Sequence, residues 1–309
     1  MPTELVSIIM NCHNGEEYLQ EALDSVYAQT YAHWEIIFWD NASSDSTRSI
    51  VEKCDERLRY YRTEELSPLG EARNLAMQKA QGKYITFLDC DDKFSPHKLE
   101  TQLKEMEASD CALSYSGVII IDAAGNQIKK MKPRYLKGNN FLQQLSRYEI
   151  MMPGVMLSRE ILEEERIQFN TDLKYCPDYH LFMRVLAKYP AKAIPEFLTY
   201  YRRHANALSL KTLHLVEPEN RWVLDDLKAR YPGLYEKYPN VFRKAYRKLS
   251  LPRARNLIAE NEMEKAKDVL REAVLIDYRC FVLYCLLNLP RRFFVGLVSA
   301  LKLNISLAK

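Results

Sequence analysis

Three acidic clusters follow a strand-length apolar run or open a helix: Asp40-Asn41-Ala42-Ser43-Ser44-Asp45, Asp89-Cys90-Asp91-Asp92 and Pro177-Asp178. Carboxylates as close as Asp89, Asp91 and Asp92 repel one another unless a cation or a donor neutralises them. A hard divalent ion with oxygen ligands does so and leaves positions for phosphate oxygens. Such an ion assists a phosphate leaving group as a Lewis acid. The competing reading is a solvated acidic turn and helix cap, because Asp92 stands just before Pro96 and a predicted helix. Asp40 has no such alternative, since Ser43, Ser44 and Asp45 already offer caps; for Asp45 capping is the favoured reading. A carboxylate at the end of a buried strand can accept from the N–H of a base. Arg73, in Gly70-Glu71-Ala72-Arg73-Asn74, can meet a phosphate or an acid, or serve as a surface charge. Asp178 can be a chemical group or only a helix cap.

These residues need a scaffold that gathers strand ends. Leu5 to Met10 and Trp34 to Trp39 are apolar runs of buried-strand length, and Leu58 to Tyr61 and Tyr84 to Leu88 are two more. Between them Leu19, Ala22, Leu23 and Val26 repeat at helical spacing, helices are expected at about 44–53 and 70–80 with Gly82 as a stop, and another starts at Pro96. Strands alternating with helices predict an α/β fold, a mostly parallel sheet covered on both faces. Ligands in such sheets sit at the carboxyl ends of the strands. From Val118 to about Ser209 the texture is α+β, with a hairpin at Ala124-Gly125-Asn126, a helix from Asp178 to Tyr189 and a strand from Ala193 to Tyr201. From about Leu213 the chain reads as all-helical. Ala254, Leu257, Ile258, Ala266, Leu270 and Ala273 mark a tetratricopeptide-like helix pair, but a single unit is no repeat array. The expected division is therefore 1–212 and 213–309.

Charge narrows the function classes. The 309 residues carry a net +3, too small for a global nucleic-acid footprint. Seven cysteines without paired CxxC spacing argue against a disulfide scaffold and a zinc ribbon, and point to a reducing compartment. No basic-then-apolar leader is expected at the N-terminus, and Cys280 to Pro290 is far short of the ~18 apolar residues of a membrane span. Residues 278–309 hold Arg279, Arg291, Arg292, Lys302 and Lys309 and no acid, so the preceding chain is slightly acidic. Short apolar stretches studded with arginine suit a helix in the headgroup layer of anionic lipid, or a helix pair docked on a core.

The ordered set of motifs resembles family-2 glycosyltransferases of the GT-A fold. The resemblance rests on Val6 to Gly15, Gln29-Thr30-Tyr31, Asp40 to Thr47, Gly70 to Asn74, Gly82 to Asp92, Pro177-Asp178 and Tyr200 to Ser209, and covers about residues 4–210. It implies a GT-A (Rossmann-like) domain followed by the helical region. By the same resemblance Asp40 holds the nucleobase and ribose, and Asp89, Asp91 and Asp92 bind the ribose and a divalent metal, Mg or Mn, with Asp91 in direct contact. Arg73 lies near the nucleotide, His204 near the diphosphate or metal, and Asp178 is the general base. His13 stands where the family has a tyrosine that stacks on the base, beside Asn14. Asn41 replaces a carboxylate that would accept a uracil N–H; its amide carbonyl can still pair with a base.

The implied chemistry is one displacement at an anomeric carbon, inverting it, as Asp178 takes the acceptor proton. The implied partners are a nucleotide-sugar donor, a UDP-sugar first, and a glycan or lipid-linked acceptor in bacterial surface polysaccharide synthesis. The expected location is cytoplasmic, peripheral on the inner face of the membrane. A glycoside hydrolase would use a carboxylate pair without a diphosphate metal site. A nucleotidyltransferase would want a glycine-rich loop after the first strand, where Asn11 to Gly15 has one glycine. A decayed transferase domain acting as a helical adaptor is the alternative of a different class.

Overall fold

The computed structural model describes residues 3–134, 140–275 and 278–288. It divides into two compact units, one of residues 1–144 and 148–207, the other of 145–147 and 208–309. The first unit contains one nine-stranded sheet. Its strands are β1 (Val6–Cys12), β2 (Trp34–Asn41), β3 (Leu58–Thr63), β4 (Tyr84–Phe87), β5 (Lys93–Phe94), β6 (Leu113–Ile121), β7 (Gln127–Met131), β8 (Val155–Ser158) and β9 (Ala191–Arg202). The helices are α1 (Leu19–Tyr27), α2 (Thr47–Val51), α3 (Leu69–Met77), α4 (Lys98–Ser109), α5 (Asn140–Ser146), α6 (Arg159–Glu164) and α7 (Pro177–Leu186).

The strand order is β3-β2-β1-β4-β8-β6-β9-β5, with β7 beside β6. β1 and β2 are buried along their whole length, as central parallel strands require, and β3 at the edge is half-buried. Parallel pairing holds through β3-β2-β1-β4. Beyond β4 the sheet is mixed: β8 runs antiparallel to β4 and β6, while β9 is parallel to β6 and antiparallel to β5. Side-chain alternation sends Val6, Ile8 and Met10 into one core with Leu19, Leu23 and Val26 of α1 and Leu99, Leu103 and Met106 of α4. Helix α3 packs on β1 and β2. Gly82 is required by close approach: a Cβ there would lie 2.6 Å from Leu5 O and Ser7 N. Helix α2 is shorter than expected, because the turn before it is held by side-chain bonds rather than by helix.

The second unit contains α8 (Leu208–Lys211), α9 (Val216–Arg230), α10 (Pro232–Lys237), α11 (Pro239–Lys248), α12 (Ser250–Ala259), α13 (Met263–Arg271) and α14 (Tyr278–Leu287). Prolines at the first positions of α10 and α11 start those helices where a missing N–H costs nothing. The tetratricopeptide-like pair is α12 and α13. Its buried Ala254, Ile258, Ala266, Leu270 and Ala273 meet Cys280, Leu283, Leu286 and Leu287 of α14 in one core. Within the start of the basic tail, Cys280, Leu283, Leu286 and Leu287 pack in this core, while Tyr278 and Phe281 are exposed. Residues 289–309, which carry the rest of the membrane expectation, lie outside the described residues. Among the described residues no helix is long and apolar enough to cross a membrane.

Candidate active site

Parallel register brings the motifs to one edge. Cys12 pairs with Asp40, and Ile9 with Phe87, so the segments after β1, β2 and β4 leave the sheet side by side. Asp40 is fully buried and surrounded by donors. Its Oδ1 accepts from the Ser43 amide at 2.8 Å, and its Oδ2 from Tyr60 Oη at 2.6 Å and Arg62 Nη1 at 2.8 Å. Asn41 is also buried. Its Oδ1 accepts from Thr63 Oγ1 and from the amide and hydroxyl of Ser67, while its Nδ2 donates to Ser67 O. These two residues are expected to read a base; in the structure their side chains also brace the 41–67 region. That bracing holds Ala42 at φ 59°, where a Cβ is strained.

The group left facing outward is His13. Its Nδ1 lies 2.8 Å from Asn41 O, which can only accept, so Nδ1 carries the proton. Nε2 then accepts from Asn14 Nδ2 at 3.3 Å. The exposed ring is thus fixed in orientation and can offer a face to a base. Asn14 adopts φ 55°, and its Oδ1 accepts from the Ser44 amide at 2.8 Å. It shapes the turn rather than extending a free side chain. Asp45 accepts from Thr47 N, two residues on, and from Glu16 N; the N-cap of α2 is Ser46, which makes no side-chain cap bond, so Asp45 closes the turn before the helix rather than capping it.

The Gly70 to Asn74 motif is explained by α3. A Cβ at Gly70 would meet Asn170 O at 2.8 Å, so the 169–170 segment crosses closely there. Asn74 and Phe169 exchange side-chain-to-backbone bonds, each 2.9 Å. Arg73, nearly buried, lies over the Phe169 ring and donates from Nη2 to Asp89 Oδ1 at 2.8 Å. Asp178 belongs to the same electrostatic group. Burial raises its carboxyl above the usual range; Arg73 and the Tyr179 amide pull it down, and Asp89 pushes it up. The N-cap of α7 is Cys176 and makes no side-chain cap bond, so Asp178 in the first turn is not the cap. Beside it Tyr148 packs edge-on against Tyr179 at 4.6 Å, its hydroxyl enclosed and without a hydrogen-bond partner.

On the other side of Asp89, Asp91 Oδ2 lies 2.9 Å from His204 Nε2. Burial and the Asp89 charge raise the Asp91 carboxyl, and His204 opposes them. Asp92, expected at both nucleotide and metal, is buried; its Oδ1 accepts from the Arg202 amide at 2.8 Å, and its Oδ2 has no hydrogen-bond partner among the described residues. It ties the acidic loop to β9. Sequence reasoning missed Arg202 itself, which is 1% exposed. Its guanidinium donates to Asp91 O, Ala123 O and Glu21 Oε2, each at 2.9 Å, and lies over the Tyr18 ring. Tyr18 in turn contacts the His204 ring. The available signal was strand alternation: of Arg202 and Arg203, one must face in.

A divalent ion fits this donor set in part. Among the described residues no three His, Cys, Asp or Glu side chains converge on one point. Asp91 and His204 do meet, and crowded Asp89 and Asp91 favour a cation between them. That matches an ion held by one or two protein groups plus phosphate oxygens, not a closed protein cage.

Comparison with known proteins gives the family and the fold. Residues 7–166 match the family described as glycosyl transferase family 2. The chain is 35% identical over 211 residues to TuaG of Bacillus subtilis, assigned to teichuronic acid biosynthesis as a glycosyltransferase, covering 66% of this chain and 81% of TuaG. It is 33% identical over 187 residues to WfgD of Escherichia coli, a UDP-Glc:alpha-D-GlcNAc-diphosphoundecaprenol beta-1,3-glucosyltransferase, covering 60% and 71%. It spans only 33% of a longer uncharacterized glycosyltransferase of Rickettsia felis. Among solved structures, S. aureus TarS in complex with UDP-GlcNAc superposes with a TM-score of 0.66 at 17% identity, over 94% of this chain and 88% of that one. The mannosyltransferase PcManGT of Pyrobaculum calidifontis, in complex with GDP-Man and Mn2+, gives 0.63 at 16% identity, over 99% and 86%.

Proposed function

The chain belongs to glycosyl transferase family 2 and has the GT-A fold, and from that premise we propose that it moves a sugar from a nucleoside diphosphate to an acceptor hydroxyl with inversion. The observation that carries this is the Asp178 carboxyl, raised by burial and grouped with Arg73 and Asp89 at the carboxyl ends of the parallel strands. In a single displacement Asp178 accepts the proton as the acceptor oxygen attacks the anomeric carbon. Arg73 holds Asp89 in place to orient the ribose side of the donor, and the fixed His13 ring supports the base. The enclosed Tyr148 hydroxyl, lacking a partner, is placed to bind a sugar hydroxyl beside Asp178. Asp91 and His204 would hold Mg or Mn against the diphosphate. When bound, the ion neutralises charge on the departing nucleoside diphosphate.

A UDP-sugar is the first donor to test, because WfgD uses UDP-Glc and TarS was solved with UDP-GlcNAc. A glycan or lipid-linked acceptor in surface polysaccharide synthesis follows from the names of TuaG and WfgD. Calorimetry against a panel of sugar nucleotides, with and without Mn or Mg, checks the reading. A sugar nucleotide should bind with the ion and lose at least about tenfold in affinity on chelation. No binding by any member of the panel would sink it and favour the adaptor reading.

For the membrane, we place attachment in residues 289–309, with Arg291, Arg292, Lys302 and Lys309. A chain ending at Asn288 keeps α14 and its core. The full chain should pellet with anionic vesicles and the shortened chain should not, and salt should weaken the full chain's pelleting. Equal pelleting of both would place any attachment elsewhere.

A further inference from the structure

The cysteine of the acidic loop has a partner. The β1–β4 register runs Val6 with Tyr84 through Ile9 with Phe87, and Leu88 N still donates to Ile9 O at 3.0 Å. Cys90 follows two residues later, in the turn closed by Asp92 N on Asp89 O at 3.0 Å, and Cys12 ends β1. A Cβ built on Gly15 would meet Cys12 Sγ at 2.4 Å and Cys90 Sγ at 3.0 Å, so both lie against the same glycine. Both cysteines are free thiols, Cys12 buried and Cys90 partly exposed.

We propose that Cys12 and Cys90 form a reversible dithiol–disulfide site, modified by small-molecule disulfides, that switches the Asp89–Asp91 loop. The partly exposed Cys90 loses its proton and attacks the small disulfide, expelling one small thiol and leaving a mixed disulfide. Cys12 then loses its proton and attacks Cys90 Sγ, expelling the second small thiol. Two protein thiols are oxidised and one small disulfide is reduced to two thiols, so atoms and electrons balance. In a reducing compartment the pair stays open, and the bond forms only under oxidative load. Closing the bond draws residue 90 toward β1, and the carboxylates of Asp89 and Asp91 on either side must move with it. The consequence for donor binding rests on the transferase reading; the crosslink and the loop movement do not.

The test equilibrates the full native chain in glutathione buffers of graded poise and maps its peptides by mass. A Cys12–Cys90 linked peptide should accumulate and vanish on addition of dithiothreitol. Amide exchange over residues 88–92 should change with it, and metal-dependent affinity for a sugar nucleotide should fall at least about tenfold. Cys12→Ala and Cys90→Ala should each abolish all three changes, which separates this pair from Cys54 and Cys285. Glutathione retained on Cys90 with no linked peptide would overturn the site. A linked peptide with unchanged amide exchange over 88–92 would overturn the switch. A reduced chain that binds no sugar nucleotide, yet shows the linked peptide and the exchange change, would support the dithiol switch and count against the transferase reading alone.

Discussion

Asp178→Asn is expected to lose about 10²- to 10⁴-fold in transfer rate, the span a general base contributes, while its affinity for the sugar nucleotide stays near that of the native chain. The acceptor hydroxyl would keep its proton through the attack, because an amide cannot take it. Asn matches Asp in size and preserves the first turn of α7, so the comparison isolates proton transfer. A second readout separates a base from a merely structural acid. Burial raises the folded Asp178 carboxyl above its ordinary value. Stability from that group is therefore complete below the ordinary carboxylate range and is lost as pH rises through the raised folded value. At neutral pH the ionised group costs stability, and Asn removes that cost. The variant should melt at the same temperature as the native chain or higher at neutral pH, and the gain should vanish in acid. A variant that turned over like the native chain would end the base assignment.

The same shift sets the pH profile. A base works only when deprotonated, so kcat should fall as pH drops through the raised Asp178 value, at higher pH than an ordinary carboxylate would give. The limb must be read at saturating donor and ion, because Asp91 is raised as well and governs binding. In Asp178→Asn the residual rate should not show this limb.

Much of this arrangement was legible in the chain. Apolar runs at Val6, Trp34 and Tyr84 predict parallel central strands, and parallel strands bring the loops at their carboxyl ends to one edge. That is enough to gather His13 and the Asp89 loop. What could not be read is register. Asp40 is closed off because Arg62 pairs opposite it on β3 and Tyr60 lies two residues earlier on the same face. No local pattern says which β3 residue faces Asp40. Asp92 and Asp91 are adjacent and chemically alike, yet one turns inward to the β9 backbone and the other meets His204. The two-residue β5 is too short to have a period at all. The antiparallel entry of β8 depends on a long excursion through β6 and β7, which periodicity does not encode.

Arg202 is where a buried structural side chain should matter as much as a reacting one. Arg202→Met should destabilise the chain by about 1–3 kcal/mol, the loss when a buried hydrogen-bonding side chain is removed. The reasoning is in the acceptors left behind. The carbonyls of Asp91 and Ala123 would lose their donors, and Glu21 would keep only Lys93. Asp91 is half-buried while Ala123 and Glu21 are exposed, so the loss centres on the Asp91 carbonyl and the buried space of the guanidinium itself. Arg202→Lys sharpens the test. An ammonium is a point donor and cannot reach three acceptors set in different directions as a planar guanidinium does. The Lys variant should therefore keep the fold better than Met, yet leave Asp91 poorly held beside His204. Its kcat at saturating ion should recover toward native while the ion concentration needed rises at least about tenfold, the signature of a displaced ligand shell. Arg203→Met, on the exposed neighbour, should change neither stability nor ion requirement. If Lys at position 202 matched the native chain in melting temperature and ion requirement, the guanidinium network would not be what positions Asp91.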